Sequence, residues 1–138
     1  MKIDQITEQI IGAAIEVHRA TGPGLLESVY EKCLAREFLL RKIPFERQKL
    51  VALSYKGARI EADFRLDFLV AGQVLVELKS VEVVLPIHEA QVLTYLRLAG
   101  LRVGLLINFD VKTLRAGIKR FVMNLEDKTS PRSPRPLR

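Results

Sequence analysis

Residues 65–80 have the sequence RLDFLVAGQVLVELKS, in which two apolar runs flank the short segment Ala71-Gly72-Gln73. Both runs are rich in the branched and aromatic residues typical of strands, and a glycine between them is typical of a turn. The stretch therefore predicts a β-hairpin with largely buried strands. Three charged residues, Asp67, Glu77 and Lys79, interrupt the apolar runs.

The length of the turn decides where these charged side chains point. A three-residue turn pairs Val70 with Val74, and counting back along both strands then places Asp67 directly opposite Glu77. Lys79 lies two residues beyond Glu77, so the two side chains share one face of the sheet. A two-residue turn would send Asp67 to the other face and separate the acids.

Two carboxylates that oppose each other across a hairpin repel, and apolar surroundings raise their pKa values because burial disfavours the charged form. A divalent cation offsets both costs, since Mg²⁺ binds one or two carboxylates and leaves room for water and phosphate. Lys79 could hold the attacking water or stabilise charge on a phosphate in the transition state. The spacing alone leaves a structural alternative open, in which Lys79 neutralises both acids in an ion network.

The segments on either side of the hairpin predict helices. An apolar stripe predicts an amphipathic helix over residues 3 to about 19, and the Gly-Pro-Gly segment at 22–24 ends it. A second helical pattern covers about 26–41. A third begins near Pro86 and reaches about residue 99, where Gly100 stops it.

The remaining segments predict strands. Expected ranges are 45–55, about 58–70 with an interruption allowed, 74–80 and 103–108, whereas 114–123 fits either a strand or a helix. The order is helix, helix, three strands, helix, strand and a final element. This order predicts an α/β layered domain with a mixed sheet.

Composition predicts one ordinary globular domain followed by a tail. The chain has 138 residues, of which 49% are hydrophobic and 28% charged. We expect residues 1–125 to form the domain and 126–138, rich in Pro, Arg and Ser, to be a disordered basic tail. The net charge of +6 is compatible with a polyanion partner but is a weak signal for one.

Cellular location is constrained by two features. The one cysteine, Cys33, excludes a disulfide within the chain and favours a cytoplasmic location. The first residues, MKIDQ, are not typical of a signal peptide, and no apolar run is long enough to cross a bilayer, so no membrane partner is expected.

Two of the predicted helices carry polar side chains that could line the same site. Gln91 and Tyr95 are four residues apart and share a helical face, where Gln91 could orient a water or contact a phosphate and Tyr95 could contact a nucleic-acid backbone. Glu27 lies in the first turn of the second helix, where an acid also interacts well with the helix dipole. Tyr30 follows on the same face as Glu27.

These residues carry a resemblance to a known family. Residues 24–30, GLLESVY, resemble the signature of the GxxExxY proteins, a group within the PD-(D/E)XK nuclease superfamily. Asp67 together with residues 77–79, ELK, resembles the core motif of that superfamily, although Leu66 stands where proline is common. Residues 91–95, QVLTY, resemble the QxxxY helix motif of RecB-like members. The resemblance covers about residues 3–123.

The resemblance implies a restriction-endonuclease-like core, with a mixed central sheet of about four to five strands flanked by helices and a divalent metal, Mg²⁺ or Mn²⁺, at the hairpin. It implies two groups of site residues: Glu27, Asp67 and Glu77 as metal ligands and catalytic acids, and Lys79 and Gln91 as further catalytic residues. From their places on the two helices, we expect Tyr30 and Tyr95 to bind substrate.

The leading hypothesis is a metal-dependent nuclease that hydrolyses phosphodiester bonds in DNA or RNA, with DNA as the favoured polymer. Because the superfamily includes inactive members, two alternatives remain. One is a nucleic-acid-binding or regulatory module that keeps the fold without robust catalysis. The other is an interaction subunit, such as a homodimer, in which the hairpin acids form only a structural ion network.

Overall fold

A five-stranded sheet forms the middle of the molecule, and its strands lie side by side in chain order. The computed structural model describes residues 1–124, apart from the side chains of Ala62 and Asp63. The strands are β1 (Phe45–Tyr55), β2 (Ala58–Val70), β3 (Val74–Lys79), β4 (Val103–Asn108) and β5 (Ile118–Val122). Strands β3 and β4 run parallel, and every other neighbouring pair is antiparallel, so the sheet is mixed.

Helices cover both faces of this sheet. They are α1 (Ile3–Thr21), α2 (Glu27–Leu40) and α3 (Pro86–Ala99), with a short 3-10 helix at Leu114–Gly117. The larger core packs α1 and α2 against one face, and a smaller core packs α3 against the other. Strand β3 is buried on both sides, which explains why its sequence is a nearly continuous apolar run.

The predicted fold class is confirmed, because the structure is an α/β domain whose mixed sheet is flanked by helices. The segment that fitted either a strand or a helix contains both, since a 3-10 helix precedes the edge strand β5. Only Phe121 of β5 is buried, so its hydrophobic alternation is weak.

The predicted tail at 126–138 lies outside the described residues. Within residues 1–124, no helix is long and apolar enough to span a membrane.

The turn between β2 and β3 has the predicted three-residue length. Val70 pairs with Val74, and the pairing continues through Phe68 and Val76. The Val70 carbonyl accepts a hydrogen bond from the Gln73 N–H at 3.0 Å, and both residues between them have positive φ, 53° at Ala71 and 67° at Gly72. Positive φ at both central residues is typical of the tight turns that match the twist of a hairpin. The register therefore agrees with the prediction.

Strands β1 and β2 extend well beyond the rest of the sheet. They pair with each other as far as Tyr55 and Ala58, whereas β2 pairs with β3 only through its last three residues, 68–70. Residues 49–66 thus form a two-stranded extension, which we call the β-arm. Its base packs on α3 through Val51, Phe64 and Leu66 in the smaller core.

Candidate active site

Asp67 on β2 and Glu77 on β3 form reciprocal hydrogen bonds at the point where regular pairing between these strands ends. The Asp67 N–H donates to Oε2 of Glu77 at 2.7 Å, and the Leu78 N–H donates to Oδ2 of Asp67 at 2.8 Å. Each carboxylate therefore replaces a main-chain carbonyl as the acceptor for the opposite strand. These bonds fix both acids beside each other, as the register predicted.

The pKa values of both acids are raised. Burial is the largest cause in each case, and it raises the pKa of Asp67 to about 6 and that of Glu77 to about 8. For Glu77 the charge of Asp67 is the second cause, whereas for Asp67 the backbone hydrogen bond from Leu78 opposes the shift. The pair therefore resists carrying two negative charges unless a cation neutralises them.

Lys79 is the nearest cation on the same strand, and its charge lowers the pKa of both acids. Its side chain nevertheless makes no ion pair or hydrogen bond with any residue in the described part of the chain. The closed ion network that the sequence left open is therefore absent from residues 1–124. The lysine remains half-buried with its ammonium group available to a ligand.

The first turns of α2 add negative charge to the same region. The charge of Glu27, the first residue of α2, raises the pKa of both Asp67 and Glu77, and the charge of Glu31 raises that of Asp67. Glu31 also accepts hydrogen bonds from Arg47 at 3.2 Å and from Gln48 at 2.9 Å. Helix α2 therefore presents two acids, one turn apart, towards the hairpin.

The position of Glu27 depends on a clamp made by Tyr30. The Tyr30 hydroxyl donates to the Gly22 carbonyl at 2.5 Å and accepts from the Leu25 N–H at 3.2 Å, and its ring stacks on Phe109 with centroids 4.4 Å apart. The hydroxyl of Ser80 donates to the Leu25 carbonyl at 2.6 Å. These bonds tie the loop before α2 to the end of β3.

The assignment of Tyr30 to substrate binding is wrong in this structure. Its side chain is 0% exposed, and both hydrogen-bonding directions of its hydroxyl are used within the loop. A ring without exposed surface cannot contact a substrate, so Tyr30 acts on the site through the loop that it holds. Because Tyr30 and Glu27 share a helical face, the sequence indicated that Tyr30 lies near the site. It did not indicate that the side chain is buried.

On the opposite side of the hairpin, α3 contributes Gln91 and Tyr95. Nε2 of the exposed Gln91 donates to the Tyr95 hydroxyl at 3.1 Å. Burial raises the pKa of Tyr95, and the charges of Glu77 and Asp67 raise it further, so this helix lies within electrostatic reach of the acids. Tyr95 is only 7% exposed and packs beside Phe64, which leaves Gln91 as the accessible member of the pair.

Comparison with known protein families gives one match for this chain. A sequence model described as the PD-(D/E)XK nuclease superfamily matches residues 4–121. The chain belongs to the PD-(D/E)XK nuclease superfamily. Searches of curated proteins and of solved structures returned no match.

Membership in the PD-(D/E)XK superfamily agrees with the restriction-endonuclease-like fold that the sequence predicted, since the mixed sheet and its flanking helices have that arrangement. The narrower assignment to the GxxExxY group rests on residues 24–30 alone. Within that stretch Tyr30 follows Glu27 by about one helical turn, and its hydroxyl reaches back to the loop before α2.

Asp67 and Glu77 form a pair of oxygen donors that fits an ion such as Mg²⁺, whereas a triad with Glu27 is not formed among the described residues. Among residues 1–124, no group of three or more His, Cys, Asp or Glu side chains is arranged to hold a metal ion. Asp67 and Glu77 are brought together, whereas Glu27 influences them electrostatically without joining them in one cluster. Mg²⁺ commonly uses one or two carboxylates and completes its coordination with water and phosphate oxygens. Buried Glu77 and half-buried Asp67, which repel each other, suit such an ion.

Several residues that shape this PD-(D/E)XK site were missed in the sequence. Glu31 could have been found, because its spacing of four from Glu27 puts both acids on one helical face. Gln48 could not, since it lies 17 residues from Glu31 in the chain, yet its amide donates to Glu31 at 2.9 Å and lies 3.5 Å from Oδ1 of Asp67. Buried Asn108 is the polar end of an apolar strand, and its side chain bonds both the N–H and the carbonyl of Val81, just after β3.

We predict that Glu77→Gln reduces the loss of stability with rising pH in the metal-free protein. The folded-state pKa of Glu77 is raised to about 8, so the folded chain binds this proton more tightly than the unfolded chain does. The free energy of unfolding should therefore fall as the pH rises from about 5 towards 8. Glutamine still accepts from the Asp67 N–H but cannot ionise, so its curve should be flatter.

The measurement is urea unfolding in the presence of a chelator at several pH values. The matched control is Glu61→Gln, since the Glu61 side chain is 86% exposed and should leave the pH dependence unchanged. Parallel curves for wild type and Glu77→Gln would contradict the raised pKa.

We also predict that Tyr30→Phe destabilises the protein by about 1–3 kcal/mol, because the Gly22 carbonyl and the Leu25 N–H are both left without their hydroxyl partner. Thermal or urea unfolding measures this destabilisation. Tyr55→Phe removes a hydroxyl from a ring that is 59% exposed and should change stability by less than about 0.5 kcal/mol. Equal effects at the two positions would argue against the clamp.

Proposed function

We propose that this protein is a divalent-metal-dependent nuclease that hydrolyses phosphodiester bonds. The observation that carries the proposal is the pair of adjacent acids with raised pKa values, Asp67 and Glu77, next to a lysine that has no ion-pair partner within residues 1–124. Membership in the PD-(D/E)XK superfamily supports the class of reaction. The restriction-endonuclease-like core favours DNA over RNA as the substrate. The single cysteine supports a cytoplasmic location.

In this proposal Asp67 and Glu77 hold Mg²⁺ or Mn²⁺, and Glu27 approaches from α2 as the third acid. The bound ion would supply a Lewis acid for the phosphate and would lower the pKa of a water molecule. The backbone N–H groups of Asp67 and Leu78 keep both carboxylates oriented, so little reorganisation is needed when the ion binds. That orientation is the contribution of the hairpin to catalysis.

The remaining side chains act on the substrate and the water. The ammonium group of Lys79, which has no partner among the described residues, can stabilise negative charge that develops on the phosphate. Gln91 is exposed on α3 and can orient a water or donate to a phosphate oxygen. Tyr95 holds the amide of Gln91 by a hydrogen bond, so we assign it a positioning role instead of direct contact with substrate.

One observation favours a second candidate, a nucleic-acid-binding module of the same fold without robust catalysis. Both acids already accept hydrogen bonds from backbone N–H groups, and the described residues hold no group of three metal-binding side chains. Acids that are satisfied by the main chain could serve to fix the hairpin alone. The two candidates differ in whether a metal ion binds and in whether cleavage follows.

Purified protein is expected to cut nucleic acid in the presence of Mg²⁺ or Mn²⁺, and Lys79→Ala and Glu77→Gln should each lower the rate by about a hundredfold or more. The assay compares labelled single-stranded, duplex and branched DNA and RNA. Lys32→Ala and Glu61→Gln change exposed residues away from the hairpin and should retain the activity. Cleavage that survives both active-site substitutions would come from another source, and failure to cut any of these substrates would favour the second candidate.

Mn²⁺ or Mg²⁺ is expected to raise the thermal unfolding midpoint at pH 8, because the ion binds the folded state and relieves the repulsion between Asp67 and Glu77. At an ion concentration a hundredfold above the dissociation constant, the stabilisation is about 2.7 kcal/mol. Asp67→Asn should remove most of the shift, and Glu27→Gln should reduce it, whereas Glu61→Gln should preserve it. An absence of any shift at millimolar ion would count against a metal site.

A further inference from the structure

A cavity opens at the same end of the sheet as the candidate active site. It has a volume of about 230 Å³ and lies between the last turn of α1 and the segment that joins β4 to β5. His18 and Arg19 line it from α1, and Lys112, Thr113 and Arg115 line it from the joining segment. We call it the basic cavity. Its volume can hold a tetrahedral anion together with several waters, since a water occupies about 30 Å³ in the liquid.

The charged side chains around the basic cavity are positive, and few acidic side chains neutralise them. Among the described residues no acid lines it, and the side chains of Lys112 and Arg115 form no ion pair. Arg19 has one ion-pair partner, Glu16, at 3.7 Å, but the arginine side chain is 75% exposed, so this pair contributes little. Three cations from two separate segments of the described chain therefore surround a space without an internal counter-charge.

His18 adds a buried polar group to the wall of the basic cavity. Its side chain is only 8% exposed, and Nε2 donates to the Val111 carbonyl at 2.9 Å. Within residues 1–124, Nδ1 makes no hydrogen bond. The bond from Nε2 ties α1 to the segment that joins β4 to β5 and fixes the wall of the basic cavity.

The basic cavity lies at the same end of the sheet as the hairpin acids. Lys79 at the end of β3 pairs with Asn108 at the end of β4, and the Phe109 N–H donates to the Lys79 carbonyl at 2.9 Å. The Phe109 ring stacks on Tyr30 and has its centroid 6.3 Å from that of His18. Phe109 thus bridges the Glu27 side of the site to the wall of the basic cavity.

We propose that the basic cavity binds a backbone phosphate of a nucleic acid strand, away from the bond that is cut. This inference rests on the proposed function and names a part of the substrate surface for it. A strand carries a charge about every 3.4 Å along its helix axis, so a strand held at the hairpin brings further phosphates to this end of the sheet. The cavity offers the matching positive charge on the same side.

The test measures binding without cleavage, in the full-length Glu77→Gln protein. The probes are labelled single-stranded and duplex DNA, and the dissociation constant is determined over a range of salt concentrations. Lys112→Glu combined with Arg115→Glu alters the basic cavity. Lys32→Glu combined with Arg36→Glu on α2 makes the same change in net charge at exposed positions elsewhere and is the matched control.

We expect the cavity double variant to weaken binding at least about tenfold, and to lower the slope of log affinity against log salt by about 0.7–0.9 for each phosphate that the protein no longer neutralises. The control should weaken binding less than about threefold. Lys112→Gln combined with Arg115→Gln is the milder variant if charge reversal disturbs folding, and it should weaken binding in the same direction. Inorganic phosphate should compete with DNA for the parent protein but not for the cavity variant.

Equal weakening by both double variants would overturn the proposal, since it would show an effect of overall charge only. Absence of DNA binding by the parent protein would overturn it as well, and so would phosphate binding at the cavity with unchanged DNA affinity. These outcomes are separable from failure of the proposed catalysis, because no cleavage is measured. A protein that binds DNA through the cavity but never cuts it would support this inference and contradict the proposed nuclease activity.

Discussion

The two hydrogen bonds that Asp67 and Glu77 exchange with the main chain of the opposite strand are the interaction on which the candidate site depends. They form only in the register set by the three-residue turn, in which Val70 pairs with Val74. A shift of one residue would turn one acid towards the other face of the sheet. The apolar neighbours of the acids anchor that register, since β3 is buried on both faces between the two helix layers.

Further negative charges surround this pair of acids, and their repulsion destabilises the ionised site unless a cation neutralises it. Glu27 and Glu31 on α2 add to the repulsion felt by Asp67, and the contacts of Glu31 with Arg47 and Gln48 offset only part of it. The hydrogen bonds between Tyr30 and the loop before α2 hold Glu27 in this unfavourable position. Such a concentration of acids is typical of a site whose charge a ligand completes, and it supports the proposal that these acids bind a cation.

Much of the fold and part of the candidate site could be predicted from the sequence. The hairpin register followed from counting residues back from a three-residue turn, because the side-chain alternation of a strand has a period of two. The turn length itself was the condition, and the structure supplies it. Glu27 and Gln91 came from spacing and from resemblance together, and both helices that carry them do approach the acids.

The rest required tertiary structure. The helical period predicts the direction in which the Tyr30 side chain points but not how deeply it is buried. Spacing alone therefore assigns Tyr30 to substrate contact, although the side chain is buried. The contacts of Gln48, Ser80 and Asn108 join segments that are distant in the chain, and no local pattern encodes them.

The β-arm has a consequence for how the protein opens locally. A two-stranded ribbon is only marginally stable in water, so the part of the arm beyond Val51 and Phe64 has little packing of its own, while its base gains stability from α3. Amide protons near Tyr55 and Ala58 should exchange with solvent by local fraying, long before those of β3 and β4 exchange. The packed base separates that fraying from Asp67, so the arm can sample other shapes while the acids keep their geometry.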